Sequence, residues 1–196
     1  MKNQGAEVTL NINKQFNKNL FVSLMGTLTY AHNEITEKDE PAAVVGTNRA
    51  ETGYPTGQNR GYIAERLFTN DDFADVAAGT LKEGIPAQTF TAKLRPGDIK
   101  YVDVNQDGKI DAFDVSPIGG PINPEIVYGF GLNMKWKDLD FGVLFQGIGR
   151  TWNVLSGNII PASNKGTTYN IFTNYQDRWT VDNPSQDVFY PRLDYG

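Results

Sequence analysis

Apolar and polar side chains alternate in long runs at two places along the chain. From Ala6 to Phe16, "AEVTLNINKQF" sets Val8, Leu10 and Ile12 on one face and Glu7, Thr9, Asn11 and Asn13 on the other, the period of two of a β-strand. After "NKN" the alternation resumes in "LFVSLMGTLTY", with Leu20, Val22, Leu24, Leu28 and Tyr30 opposite Ser23, Thr27 and Thr29. This predicts a hairpin with a tight turn at Asn17-Lys18-Asn19. A second hairpin is expected in "EIVYGFGLNMKWKDLDFGVLFQGIG", where Ile126, Tyr128, Phe130, Leu132, Met134 and Trp136 share a face opposite Gly129, Gly131, Asn133 and Lys135. A turn at Lys137-Asp138 makes Trp136 face Leu139, Met134 face Phe141, Leu132 face Val143 and Phe130 face Phe145, all on one side.

Two folds bury such faces. A soluble sandwich packs them against a second sheet; a membrane barrel turns them toward lipid. The strands reach about ten or eleven residues, longer than the usual five or six and suited to a tilted bilayer crossing. Their opposite faces carry Gly, Asn, Thr, Ser, Gln and Lys, which suits a polar lumen. The hairpin turns are short and the connection from about His32 to Pro124 is long, the asymmetry of periplasmic turns and extracellular loops. Trp136, beside its turn, falls where an aromatic girdle would lie. The expected class is all-β: an antiparallel transmembrane β-barrel segment of up-and-down hairpins with long extracellular loops.

The long connection starts acidic ("NEITEKDEP"), passes a Gly/Pro-rich patch ("TGYPTGQNRGY") and a helical pattern around "NDDFADVAAG" with Asn70 or Asp71 as cap, and ends in "YVDVNQDGKIDAFDVSP". Tyr54, Tyr62, Leu67, Phe68, Phe73 and Phe90 give it apolar material for a core of its own. The stretch from Gly149 reads as loop at least to Pro161 and is aromatic again near "YNIFTNYQDRW".

Composition narrows the function. A net charge of -5 with scattered basic residues argues against nucleic acid, which needs a concentrated basic face. The absence of cysteine excludes disulfide frameworks and thiol catalysis, and a single histidine, His32, excludes multi-histidine metal sites. His32 itself reads as an ordinary interface residue at a strand end. No run of 18 apolar residues occurs, and "MKNQGAEVTL" lacks the apolar core of a signal peptide; barrel strands cross membranes with only weak alternation, and a segment of a longer protein need not carry its parent's signal.

One stretch carries recognisable site chemistry. With Asp103 at position 1, Asn105, Asp107, Lys109, Asp111 and Asp114 occupy positions 3, 5, 7, 9 and 12, with Gly108 at 6 and Ile110 at 8. That is the order of an EF-hand calcium loop, in which alternate oxygens converge on the ion, the position-7 carbonyl contributes and glycine permits the sharp turn. Asp at 12 in place of Glu suits the weaker affinities of extracellular sites. A turn held by Asx hydrogen bonds without an ion fits the same residues. Pro117, Gly119, Gly120, Pro121 and Pro124 forbid the exit helix of an EF-hand or a dockerin. Asp71-Asp72 reads as a helix cap rather than a pair of glycosidase acids, and no G-x-S-x-G or phosphate loop is present, so nothing nominates an enzyme. Trp152, Tyr169, Tyr175 and Trp179 are aromatics that could stack on sugar rings or pack within loops.

Three separated segments resemble the SusC/RagA-type TonB-dependent outer-membrane transporters of Bacteroidota. "TGYPTGQNRGY" is similar to that family's Gly-x-Pro-x-Gly segment ending in Gly-Tyr. "PGDIKYVDVNQDGKIDAFDVSPIGGPINPEIVYGFGLNMKWKDLDFGVLFQGIG" resembles its Asp-rich loop, Asn-Pro, Tyr-Gly, barrel hairpin and Phe-Gln-Gly; "DRWTVDNPSQDVFYPRL" resembles the Trp-Thr, Asn-Pro and Pro-Arg-Leu that follow. "SPIGGPINPE" departs from the family's charged stretch followed by Ile-Gly-Asn/Ser-Pro. The resemblance implies a plugged barrel of the 22-stranded class in the outer membrane. It implies import of oligosaccharides, or in some branches peptides, with a SusD-like surface lipoprotein, and a TonB contact through an N-terminal region. On this reading the chain is a C-terminal-half segment with about four membrane strands. Residues 1–31 form one hairpin and 32–124 an extracellular loop region holding the possible structural Ca2+ loop 103–114. Residues 125–149 form the second hairpin, and 150–196 lead to the next strand. The expected alternative is a secreted calcium-binding sandwich module that binds glycans.

Overall fold

The computed structural model describes residues 1–91, 93–155 and 173–193. Twelve strands run in the order β1 (Lys2–Asn17), β2 (Leu20–Glu34), β3 (Gln58–Gly61), β4 (Ala64–Leu67), β5 (Phe73–Asp75), β6 (Thr80–Leu81), β7 (Ala87–Gln88), β8 (Ile99–Tyr101), β9 (Lys109–Ile110), β10 (Ser116–Pro121), β11 (Ile126–Trp136) and β12 (Leu139–Gly149). No α-helix occurs among the described residues. The chain forms two compact units: Met1–Val45, Ala50–Asn59 and Gly119–Asn153 in one, Gly46–Arg49, Arg60–Ile118 and the described residues after Asn153 in the other.

The first unit is built on a four-stranded antiparallel sheet in the order β1-β2-β11-β12. Spatial order equals chain order, so the sheet is an up-and-down meander, and everything from Ile35 to Glu125 is one connection between neighbouring strands. The expected register of the second hairpin holds at every pair: Trp136 faces Leu139, Met134 faces Phe141, Leu132 faces Val143 and Phe130 faces Phe145. The turns fall at Lys18-Asn19 and Lys137-Asp138. Lys137 adopts a left-handed φ of 53°, and its N–H donates to Asn19 O at 2.7 Å, so both turns sit at the same end of the sheet.

The register carries one apolar face across all four strands. Val8 pairs with Leu28 and Leu28 with Tyr128; Ile12 pairs with Leu24, Leu24 with Leu132 and Leu132 with Val143. Among the described residues nothing covers this face: Leu10, Phe130, Trp136, Phe141 and Phe145 are 56%, 47%, 49%, 54% and 60% exposed. The sandwich alternative is therefore not favoured, because it requires these side chains to be packed against a second sheet. At Gly147 an added Cβ would lie 2.2 Å from the Tyr128 ring, so the ring fills the gap that glycine leaves on the apolar side. The opposite face is mixed: Glu7, Thr9, Asn11, Ser23, Thr27 and Asn133 lie on it, together with Met25, Leu144 and Ile148.

The second unit has a small core of Phe68, Phe73 and Leu94, with Leu81 and Ile85 packed against it. The helix expected around residues 70–79 does not form. Asn70–Asp72 is a single 3-10 turn, and β5 and β6 then make a two-stranded antiparallel ribbon. The cap is Thr69 rather than Asn70 or Asp71: its N–H donates to Asp72 Oδ2 at 2.8 Å. Two side chains decide against the helix. Asp72 is drawn into a bidentate pair with Arg66, at 2.6 and 2.7 Å, and Phe73 is pulled under Phe68, ring centroids 5.6 Å apart. A short helix is marginal without packing of its own, so tertiary anchors override it.

Residues 173–193 close this unit. Trp179, 7% exposed, lies over Gly97, where an added Cβ would come within 2.3 Å of the indole. Gly97 sits at φ 89°, so both the backbone and the close approach require glycine. Arg192 N–H donates to Gly97 O at 2.8 Å and Arg192 Nε to Asp98 Oδ1 at 2.9 Å.

Candidate functional site

The six residues expected to ligate metal fall in one loop, and its shape follows from Asx hydrogen bonding. Asp103 accepts from the N–H of Asp107 at 3.2 Å and of Gly108 at 2.8 Å, Asn105 Oδ1 from Asp107 N–H at 3.1 Å, and Asp107 Oδ1 from Lys109 N–H at 3.0 Å. Asp111 Oδ1 caps Phe113 N–H at 2.8 Å. Gly108 takes φ 86° and Gln106 φ 61°, the left-handed steps that curl the chain around its own side chains. Ile110 is 1% exposed and anchors the ring; β9, which contains it, pairs in parallel with β7, and Thr89 N–H donates to Ile110 O at 3.0 Å.

Asp114 is the hub of the loop. Fully buried, it receives Val104 N–H at 2.8 Å and Asn105 N–H at 3.4 Å on Oδ1, and Asp111 N–H at 2.8 Å on Oδ2. A carboxylate has about four lone-pair sites, so the three N–H bonds on Asp114 nearly fill it. Among the described residues no three acidic or histidine side chains gather into a set that could hold a metal ion. The residue types and backbone turn suit a calcium loop, while the side-chain oxygens stand here engaged with N–H groups. After Asp114 the chain enters β10, as the prolines dictated, and Asn48 Nδ2 secures the exit by donating to Phe113 O at 2.8 Å and Val115 O at 3.0 Å.

A second cluster escaped sequence reasoning. Glu125, 4% exposed, accepts from His32 Nδ1, and Arg150 Nε lies 2.8 Å from its Oε2. That nitrogen is not aligned to donate, so Oε2 has no hydrogen bond. Backbone bonds repeat the link: Ala31 N–H donates to Glu125 O at 2.8 Å and Glu125 N–H to Arg150 O at 3.4 Å. The cluster thus ties the end of β2, the start of β11 and the exit of β12. Only His32 was singled out from the sequence; its partner stands 93 positions away and bears no local mark.

The candidate stacking aromatics are mostly engaged in structure. Trp179 is buried, Trp152 packs on Gly119 and Gly120, and Tyr175 is covered by Arg178, whose guanidinium carbon is 4.1 Å from the ring centroid. Tyr169 lies outside the described residues. A different group, Tyr62, Phe90 and Tyr101, stacks with centroids 4.7 to 5.7 Å apart. Burial of Tyr101 in that group pushes its phenol above the usual value. Asp71-Asp72 forms no acid pair for glycoside chemistry, because Asp72 is committed to Arg66. That guanidinium holds its carboxyl well below the usual carboxylate range.

An open antiparallel meander with one uncovered apolar face and a separately folded long connection defines a class: a stretch of barrel wall carrying a large loop. The comparisons agree. The chain is 35% identical over 139 residues to TonB-dependent receptor P26 of Formosa agariphila, a match to 68% of this chain and 13% of that protein. In fold it resembles the solved RagAB peptide transporter, with a TM-score of 0.57 at 20% identity over 98% of this chain. It also resembles the RagAB peptide importer in its closed-closed state, again with a TM-score of 0.57 at 20% identity, over 97% of this chain. The chain spans only 20% of the length of each of those solved chains. No family model matches. The chain belongs to the TonB-dependent receptor family, and the solved proteins it resembles in fold are named as transporters.

Proposed function

We propose that the chain is part of the wall and outer face of a SusC/RagA-type importer in the outer membrane, taking up oligosaccharides or peptides with a SusD-like lipoprotein and energy from TonB. The observation that carries this is the uncovered apolar face running without interruption across β1, β2, β11 and β12. Strands β11 and β12 each have 11 residues; at about 3.4 Å per residue and a tilt of about 45° that spans roughly 26 Å of depth. The apolar band of an outer-membrane barrel is about 25 Å tall. Trp136 and Leu139 close the band at the turn end, and Lys137 Nζ sits 5.6 Å from the Trp136 ring centroid, an arrangement suited to a headgroup boundary. The mixed face is then the lumen side. The motif resemblance supports the SusC/RagA branch, and the RagAB relatives, named as peptide transporters, support the peptide option. Fractionation tests the reading: the full-length protein is expected in outer membranes, extractable only with detergent. Recovery as a soluble monomer would overturn it.

The loop 103–114 is proposed to hold Ca2+ as a brace. Asp103, Asn105, Asp107 and Asp111 would offer side-chain oxygens and Lys109 its carbonyl, with Asp114 holding the ring closed. The left-handed Gly108 and buried Ile110 support it. The ion would stiffen the loop and take no part in any chemical step.

A further inference from the structure

The second unit holds a cavity of about 910 Å3 between the 3-10 turn and residues 178–193. Among the described residues three arginines line it, Arg95, Arg178 and Arg192, against a single acid, Asp71. The chain has seven arginines and a net charge of -5, so this concentration of positive charge runs against the whole molecule. The three cations differ in what they already do. Arg192 is paired with Asp98 at 2.9 Å. Arg178 covers Tyr175 and donates to its backbone oxygen at 3.0 Å. Arg95 is exposed, and among the described residues its guanidinium has neither a hydrogen bond nor an ion pair. The remaining lining is largely apolar, with Val76 and Val181 42% and 83% exposed.

We infer that this cavity binds a small organic monocarboxylate: an anionic head on Arg95 and an apolar body along Val76 and Val181. A guanidinium with no partner among the described residues offers the planar fork that takes a carboxylate bidentately. The nearby arginines add positive potential without giving up their existing partners. Asp71 on the same wall disfavours a second negative charge on the ligand. Apolar walls favour a hydrocarbon body over a polyhydroxylated one, which would leave its hydroxyls unpaired.

The test uses full-length protein in detergent and isothermal titration with N-acetyl-leucine and its uncharged amide, N-acetyl-leucinamide. The acid is expected to bind at least about tenfold tighter than the amide, the worth of a hydrogen bond to a charged group. Arg95→Gln should abolish that preference while leaving the melting temperature unchanged, because among the described residues its guanidinium makes no other bond. Val181→Asp should weaken both ligands. Equal binding of acid and amide, no binding of either, or a preference that survives Arg95→Gln would each overturn the inference. The cavity lies within the second unit, away from the four-stranded sheet, so these outcomes are independent of whether the parent protein imports anything.

Discussion

Replacing Asp72 with Asn should loosen the second unit by an amount that can be worked from its bonds. The wild-type carboxylate receives Arg66 Nη1 and Nη2 at 2.7 and 2.6 Å, Thr69 N–H at 2.8 Å and the Thr69 hydroxyl at 3.1 Å. Asn keeps one acceptor and turns an NH2 group toward the guanidinium, so one charge-assisted bond is lost and donors face donors. A hydrogen bond to a charged group is worth about 1.5–3 kcal/mol. The Arg66 side chain is 35% exposed, so water recovers part of the loss and about 2 kcal/mol remains. Local opening would then rise about 30-fold, at 1.36 kcal/mol per factor of ten. Native-state hydrogen exchange on the full-length protein reads this at Thr69 N–H and at Lys82 N–H, which donates to Asp72 O at 2.9 Å. The pH dependence has a definite sign. Arg66 lowers the folded-state pKa of Asp72 below the unfolded value of about 3.9, so the stabilisation is complete above that pH and fades as pH falls through the folded value. The gap between wild type and Asp72→Asn should therefore be full at neutral pH and shrink only under strong acid. Unchanged exchange at both amides at pH 7 would refute the anchoring role.

Three further outcomes follow from named contacts. Gly97→Ala, at φ 89° and with Trp179 2.3 Å from the new Cβ, should destabilise the second unit by about 2–5 kcal/mol, the sum of left-handed strain and overpacking. Gly84→Ala, at φ 84° with nothing within 4 Å, should cost only the strain, about 1–2 kcal/mol; thermal melts giving equal losses would discredit the Trp179 contact. Leu132→Arg, mid-strand on the apolar face, should lower the folded outer-membrane yield by a cost of about 2–4 kcal/mol, whereas Asn133→Arg on the opposite face should be tolerated; heat-modifiable gel mobility separates them, and equal yields would reverse the assignment of faces. Calcium calorimetry on the full-length protein should show binding that Asp107→Ala weakens at least about tenfold, and absence of heat in the wild type would leave the loop as an ion-free Asx turn.

The sheet and its faces were legible in the chain because alternation fixes them locally. Val8, Leu28, Tyr128, Leu132 and Phe145 each declare their side by position in a period-two run, and a turn at Lys137-Asp138 leaves one register that keeps all of them together. Two folds still shared that pattern, and only the structure showed the face uncovered. The calcium-like loop was equally local, since its residues act at separations of two to ten, and so was the ban on an exit helix, enforced by Pro117 and Pro121.

What the sequence left open was decided by partners distant along the chain. Phe73 and Asp72 look like parts of a short helix until Phe68, Leu94 and Arg66 claim them for a core and an ion pair. Trp179 looks like an exposed binding aromatic until Gly97, far upstream, offers a surface with no Cβ. His32 finds Glu125, and Arg95, Arg178 and Arg192 meet at one cavity, through loop closures that no local period encodes. Backbone alternation and turn chemistry are short-range and written residue by residue. Burial, charge pairing and cavities belong to contacts that exist only once the long connection has folded.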